Sequence, residues 1–123
     1  MKRFISILIA TFAITTLKAQ FANTSWKGLY KVPDPTEMIL QFKTDTLLLI
    51  DPMNHQAVET MKYSVSGDTV TITKISGASD CNDEKGIYKM EIKDNKLFIT
   101  LISDDCYSRS TSGADEPLEK IED

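Results

Sequence analysis

Short blocks of alternating apolar and polar residues recur along this chain, separated by stretches rich in Gly, Pro, Asn and Asp. Period-two alternation is typical of strands that bury one face, and no long amphipathic helix competes with it. The pattern predicts seven or eight strands in an all-β domain. Alternating blocks occupy 26–32, 38–43, 60–65, 69–73 and 88–93; blocks apolar on both faces occupy 47–50 and 97–102; residues 118–121 fit a strand or a helical turn.

The connections between these blocks alternate between tight turns and longer loops. Turn-forming pairs lie at 44–45, 67–68 and 94–95, where residues that tolerate positive φ suit two-residue hairpins. In an up-and-down meander every second connection falls at the same end of the sheet. The loops 33–36, 51–56, 77–85 and 104–117 should therefore share one end. A closed barrel would remove the exposed sheet edges, and a two-sheet sandwich is the alternative.

The two cysteines, Cys81 and Cys106, both fall at the predicted long-loop end. Loops arching over one end of neighbouring strands can bring the two Cα atoms within the roughly 7 Å that a disulfide requires. We therefore expect one disulfide. Chain entropy assigns the closed loop of about 26 residues a stabilisation of roughly 3 to 4 kcal/mol.

The N-terminus has the pattern of a secretory signal. Lys2 and Arg3 precede an apolar run at 4–14, which is shorter than the roughly 20 residues that span a bilayer, and Ala19 offers a small residue for cleavage. We expect a signal peptide at 1–20, a secreted or periplasmic domain at 21–123, and no stable membrane anchor after cleavage. Loss of three basic residues would leave 11 basic against 18 acidic side chains, a net charge of −7. Such a charge disfavours nucleic acid as a partner.

Several short segments resemble the lipocalin and calycin group in a shortened bacterial form. They are Trp26 opening the first strand, the hairpin 63–70, and the segments 86–88, 95–97 and 105–109. The resemblance implies a barrel whose open end carries the longer loops. Thr24 stands where classical members have a glycine, two positions before the tryptophan. In those members a final-strand arginine stacks on this tryptophan, whereas we expect Arg109 at the open end.

Few residues offer catalytic or metal-binding chemistry. His55 is the single histidine and falls in a predicted loop, so no nucleophile–histidine pair is expected, and neither enzymatic activity nor a cofactor is predicted. Calcium accepts carboxylate oxygens, but the acidic loop residues do not match the EF-hand spacing. We interpret them as solvated charge rather than a metal site. They are Asp80, Asp83, Glu84, Asp104 and Asp105.

The leading hypothesis is a non-enzymatic binding protein that takes a small apolar molecule. The alternative is a protein-interaction or inhibitor module with a packed barrel, whose loops 80–85 and 104–110 dock a protein partner. An internal cavity would favour the first. Arg109 either binds a ligand carboxylate or pairs with Asp104, Asp105 or Asp80. The candidate ligand-binding residues are Tyr30, Met38, Phe42, Met61, Tyr63, Tyr88, Met90 and Arg109.

Overall fold

A computed structural model describes residues 20–31 and 34–121, so the predicted signal peptide lies, except for Gln20, outside the described residues. Eight antiparallel strands form a closed up-and-down barrel in which β8 pairs with β1. The strands are β1 (Thr24–Lys31), β2 (Pro35–Phe42), β3 (Thr46–Asp51), β4 (Gln56–Ser66), β5 (Thr69–Gly77), β6 (Gly86–Lys93), β7 (Lys96–Asp104) and β8 (Leu118–Ile121). A short helix, α1 (Tyr107–Thr111), lies between β7 and β8. No helix in the described part of the chain is long and apolar enough to cross a membrane.

The meander and its two unlike ends are confirmed. The closed end carries the three tight turns. In two of them Gly67, Asp94 and Asn95 adopt positive φ, as is typical of two-residue hairpins, whereas the 44–45 turn forms without a positive-φ residue. The other end, called the mouth below, carries the remaining connections, of which residues 105–117 form the longest. The first two mouth loops are shorter than predicted because β2 begins at Pro35 and β4 at Gln56. Residues 118–121 form a strand rather than a helical turn.

The inward side chains nearest the closed end form a dense core. Trp26 and Phe42 are fully buried, and the Phe21 ring packs on Phe42 with ring centroids 5.4 Å apart. The Thr24 hydroxyl accepts the Trp26 indole N–H at 2.9 Å and donates to the Phe21 carbonyl at 2.5 Å. The segment just before β1 therefore covers this end of the barrel.

The barrel is closed by the shortest strand. β8 pairs with only three residues of β1 and with Lys96 and Leu97 of β7. Leu118 is fully buried, and a Cβ at Gly28 would lie 2.2 Å from its Cδ2 atom. Glycine at position 28 therefore leaves the space that Leu118 fills. Nearer the mouth, the segment 105–117 lies beside β1, and the Lys31 amide donates to the Ser112 carbonyl at 3.2 Å.

The predicted disulfide is confirmed. Cys81 and Cys106 are bonded, their Cα atoms are 5.6 Å apart, and both residues are buried. The bond joins the β5–β6 loop to the residue immediately before α1. It therefore fixes the start of the segment that completes the wall of the barrel near the mouth.

Truncating Leu118 tests the closure of the barrel. We expect Leu118→Ala to lower the free energy of unfolding by about 3 kcal/mol, because it opens a cavity beneath the closing strand. The matched control is Leu101→Ala on β7, where the side chain is 49% exposed, with an expected change below about 0.5 kcal/mol. Urea unfolding followed by far-ultraviolet circular dichroism measures both. Equal losses in the two variants would contradict this role of Leu118.

Candidate functional site

A cavity of about 490 Å³ lies inside the half of the barrel nearest the mouth. Its volume falls within the range of small-molecule sites, roughly 300 to 1,000 Å³. Apolar side chains from six strands form most of its wall, among them Leu40, Leu49, Met61, Ile72, Met90 and Ile99. The interior is thus packed at the closed end and hollow towards the mouth.

Five of the eight candidate ligand-binding residues line this cavity, namely Tyr30, Met61, Tyr88, Met90 and Arg109. Met38, Phe42 and Tyr63 are buried but do not line it. Phe42 and Tyr63 pack edge to face at 5.2 Å, and the Tyr63 hydroxyl donates to the Lys43 carbonyl at 2.6 Å beside a tight turn. Along a strand, every second side chain faces inward, and successive inward side chains are about 6.6 Å apart. The inward residues of one strand can therefore form cavity wall near the mouth and solid core nearer the closed end.

The segment 105–117 forms much of the remaining wall of the cavity through α1 and the residues that follow it. The sequence predicts a loop here. The helix spans only five residues, has no side-chain N-cap bond at Cys106 and carries no acidic residue in its first turn. Neither periodicity nor a capping signal could reveal it. Its position depends on contacts with β6, β7 and the β5–β6 loop.

Arg109 makes the strongest of these contacts. Its Nε atom donates to Asp104 Oδ2 at 2.7 Å and its Nη2 atom donates to Asp104 Oδ1 at 2.8 Å. Nη2 also donates to the Glu84 carbonyl at 2.8 Å. Of the alternatives predicted for Arg109, the ion pair with Asp104 is therefore formed. Side-on bidentate pairing of this kind fixes the plane of the guanidinium.

The Asp104 carboxylate is fully buried and has a donor at each available site. Besides Arg109, the Tyr88 hydroxyl donates to Oδ2 and the Cys106 amide donates to Oδ1 at 2.9 Å. Burial by itself would raise the pKa of Asp104, but the hydrogen bonds from Arg109, Tyr88 and Cys106 outweigh it and hold that pKa below its ordinary value. Burial and the contact with Asp104 raise the pKa of Tyr88.

Gly86 makes this cluster sterically possible. It pairs with Asp104 across β6 and β7, and a Cβ there would lie 2.6 Å from Asp104 Oδ2 and 3.0 Å from Arg109 Nε. Any larger residue would displace the ion pair. The sequence does not show that the residue at the start of this strand must be glycine, because the requirement comes from the packing of Asp104 and Arg109 against it.

Two polar atoms beside the cavity have no hydrogen-bond partner. Arg109 is 11% exposed, and its Nη1 atom is the one buried side-chain nitrogen or oxygen without a partner among residues 20–31 and 34–121. Tyr30 keeps 9% of its surface exposed, and its hydroxyl, which is not one of the fully buried atoms, makes no hydrogen bond to the same residues. Burial raises the pKa of Tyr30. Both residues line the cavity.

Glu59 is a second buried carboxylate, with 7% of its surface exposed, and unlike Asp104 it lines the cavity. The Ser79 amide donates to its Oε1 atom at 3.2 Å, the Ser79 hydroxyl donates to Oε2, and Lys74 Nζ lies 3.9 Å from Oε2. Glu59 is not among the site residues predicted from the sequence. The alternation of β4 could have identified it, because Glu59 lies two residues before Met61 and therefore shares its inward face.

His55 lies in the exposed β3–β4 turn at φ 57°. Within the described part of the chain, the one close group of three potential metal ligands is Asp80, Cys81 and Cys106, and its two sulfur atoms are bonded to each other.

Comparisons with protein-family models, curated proteins and solved structures found no match to this chain.

Replacing Asp104 tests the ion pair. We expect Asp104→Asn to lower the free energy of unfolding by about 3 kcal/mol at neutral pH, because it leaves a buried guanidinium without its counter-charge. The control is Asp105→Asn at the exposed neighbouring position, expected to change it by less than about 0.5 kcal/mol. Urea unfolding measures both.

The same variants give a pH test. Because the pKa of Asp104 is lower in the folded protein than in the unfolded chain, the unfolded chain binds more protons in acid. The stability from Asp104 is therefore present above about pH 4 and is lost as the pH falls through the folded pKa. Asp104→Asn should lack this part of the acid loss, whereas Asp105→Asn should keep it. Parallel pH curves for Asp104→Asn and the parent protein would contradict the assignment.

Proposed function

We propose that this protein is an exported, lipocalin-like carrier that holds a small apolar molecule in the cavity at its mouth. The observation that carries the proposal is the cavity of about 490 Å³ with a wall mostly of aliphatic and methionine side chains. Apolar walls with a few placed polar groups are typical of small-molecule sites. The methionines add adaptable surface.

The architecture supports the same proposal. A closed eight-stranded meander with tight turns at one end and longer connections at the other is compatible with a lipocalin-like barrel. An eight-stranded barrel is just wide enough to hold one small ligand. The buried disulfide is compatible with an oxidising compartment outside the cytoplasm.

The buried carboxylates in and beside the cavity support binding rather than catalysis. Asp104 is held by four hydrogen bonds, two of them from Arg109, and Glu59 is held by Ser79 beside Lys74. Carboxylates engaged in this way are poor general bases. The competing proposal of a packed interaction module requires a filled interior, and the cavity favours the carrier over it.

Filling the cavity tests the proposal. Leu49 of β3 lines the cavity and Leu48 does not, because neighbouring residues of a strand face opposite sides of the sheet. We expect Leu49→Trp to weaken binding of the neutral fluorescent probe N-phenylnaphthylamine at least about tenfold, a loss of roughly 1.4 kcal/mol. Leu48→Trp is the matched control and should bind as the parent protein does.

Circular dichroism and unfolding midpoints show whether both variants are folded. Native mass spectrometry of the protein purified from its own host adds a direct test, since a retained ligand appears as added mass. Failure of the parent protein to bind the probe, or equal binding by the two tryptophan variants, would contradict a carrier with an internal site.

A further inference from the structure

We propose that the ligand enters and leaves the cavity through the side of the barrel, by outward movement of residues 112–117, called the side segment below. This rests on the proposed carrier function and adds a route to it. The side segment lies between α1 and β8 along the chain, and its residues Ser112, Gly113 and Ala114 line the cavity. Three observations lead to the proposal: an unpaired edge of β7, few bonds to the side segment, and firm attachment of the chain before and after it.

The mouth half of β7 has an unpaired edge. The Met90 amide donates to the Asp68 carbonyl, on the β5 side of β6, at 2.8 Å, so Met90 and the facing Ile99 form a pair without mutual bonds. The backbone N–H and C=O groups of Ile99 and Leu101 therefore point away from β6. Among the described residues, no backbone bond joins β7 to the side segment. Leu101 is half exposed although Tyr88, which it faces, is buried. The barrel wall lacks here the bonds that join neighbouring strands elsewhere.

Few bonds hold the side segment to β1. The Lys31 amide donates to the Ser112 carbonyl at 3.2 Å, and Lys31 Nζ lies 3.0 Å from Asp115 Oδ1. The two side chains of this ion pair are 46% and 74% exposed, and exposed ion pairs contribute little to stability. None of the residues of the side segment is fully buried, and a Cβ at Gly113 would meet no atom within 4 Å. Such a segment opens locally while the rest of the fold stays intact.

The chain before and after the side segment is held firmly. Before it, the disulfide joins the β5–β6 loop to the residue preceding α1, and Arg109 of α1 pairs with Asp104. Both the β5–β6 loop and α1 line the cavity at the mouth, so a covalent bond holds this part of the mouth together. After it, Leu118 of β8 is fully buried. The side segment is therefore the weakly held part of the wall between two fixed points.

Removal of the exposed ion pair tests the route. We expect Asp115→Asn to raise the association and dissociation rate constants of N-phenylnaphthylamine together by about two- to fivefold and to leave Kd unchanged, because a route affects how often the ligand passes and not how it is held. Stopped-flow fluorescence measures both rates. The matched control is Glu119→Gln, which removes the same charge from the Lys96–Glu119 pair on β8. Its rates should equal those of the parent protein.

Hydrogen exchange of the Lys31 amide tests the opening without a ligand. This amide loses its partner whenever the Ser112 carbonyl moves away. We expect Asp115→Asn to speed exchange of the Lys31 amide by the same factor as the rate constants and to leave Lys27, which faces β8, unchanged. Glu119→Gln should leave the Lys31 amide as it is in the parent protein. NMR spectra recorded after transfer to deuterated water measure each amide separately.

The results distinguish this route from the carrier function. If the parent protein binds the probe and the two variants share its rate constants, the carrier stands and the side route is overturned. If Asp115→Asn changes the dissociation rate and Kd together, Asp115 acts on the bound ligand, and the side route is again overturned. An unchanged Lys31 amide in Asp115→Asn contradicts the opening itself. If the parent protein does not bind the probe, the carrier fails and the route fails with it.

Discussion

The structure depends on a barrel being closed by a strand of only four residues. β8 joins β7 to β1 near the closed end, where Leu118 enters the space left by Gly28. It does not extend to the mouth, so the segment 105–117 must complete the wall there. A full-length eighth strand would place alternating inward side chains at this position. The short strand instead leaves room for a helix, a guanidinium and a cavity.

This wall is held by a covalent bond and an ion pair that act on the same few residues. The disulfide fixes Cys106, and Arg109, three residues later, binds Asp104 at the end of β7. The second link requires Gly86, whose missing side chain admits the pair. Asp104 neutralises the guanidinium of Arg109, which lines the cavity. The contacts that build the wall thus also set the polarity of the site.

Much of the fold could be predicted because alternation and turn residues are local signals. Seven strand blocks, the hairpin turns at Gly67 and Asp94, and a disulfide at the mouth follow from spacing, whereas the spacing left 118–121 open between a strand and a helical turn. The site was predicted only in part. The alternation pattern correctly placed Tyr30, Met61, Tyr88 and Met90 at the cavity. It also predicted Phe42 and Tyr63 as ligand-binding residues, although they lie in the packed core, because alternation gives the face of a residue and not its depth.

The sequence by itself determined which side chains of the alternating blocks point inward, which end carries the loops and which cysteines meet, since each follows from strand period and chain order. Only the tertiary structure decided that the interior is hollow near the mouth, that Arg109 is neutralised by Asp104, and that Glu59 is buried beside Lys74. Those properties depend on distances between strands far apart in the chain. They are set by packing around a closed ring, which no local pattern encodes.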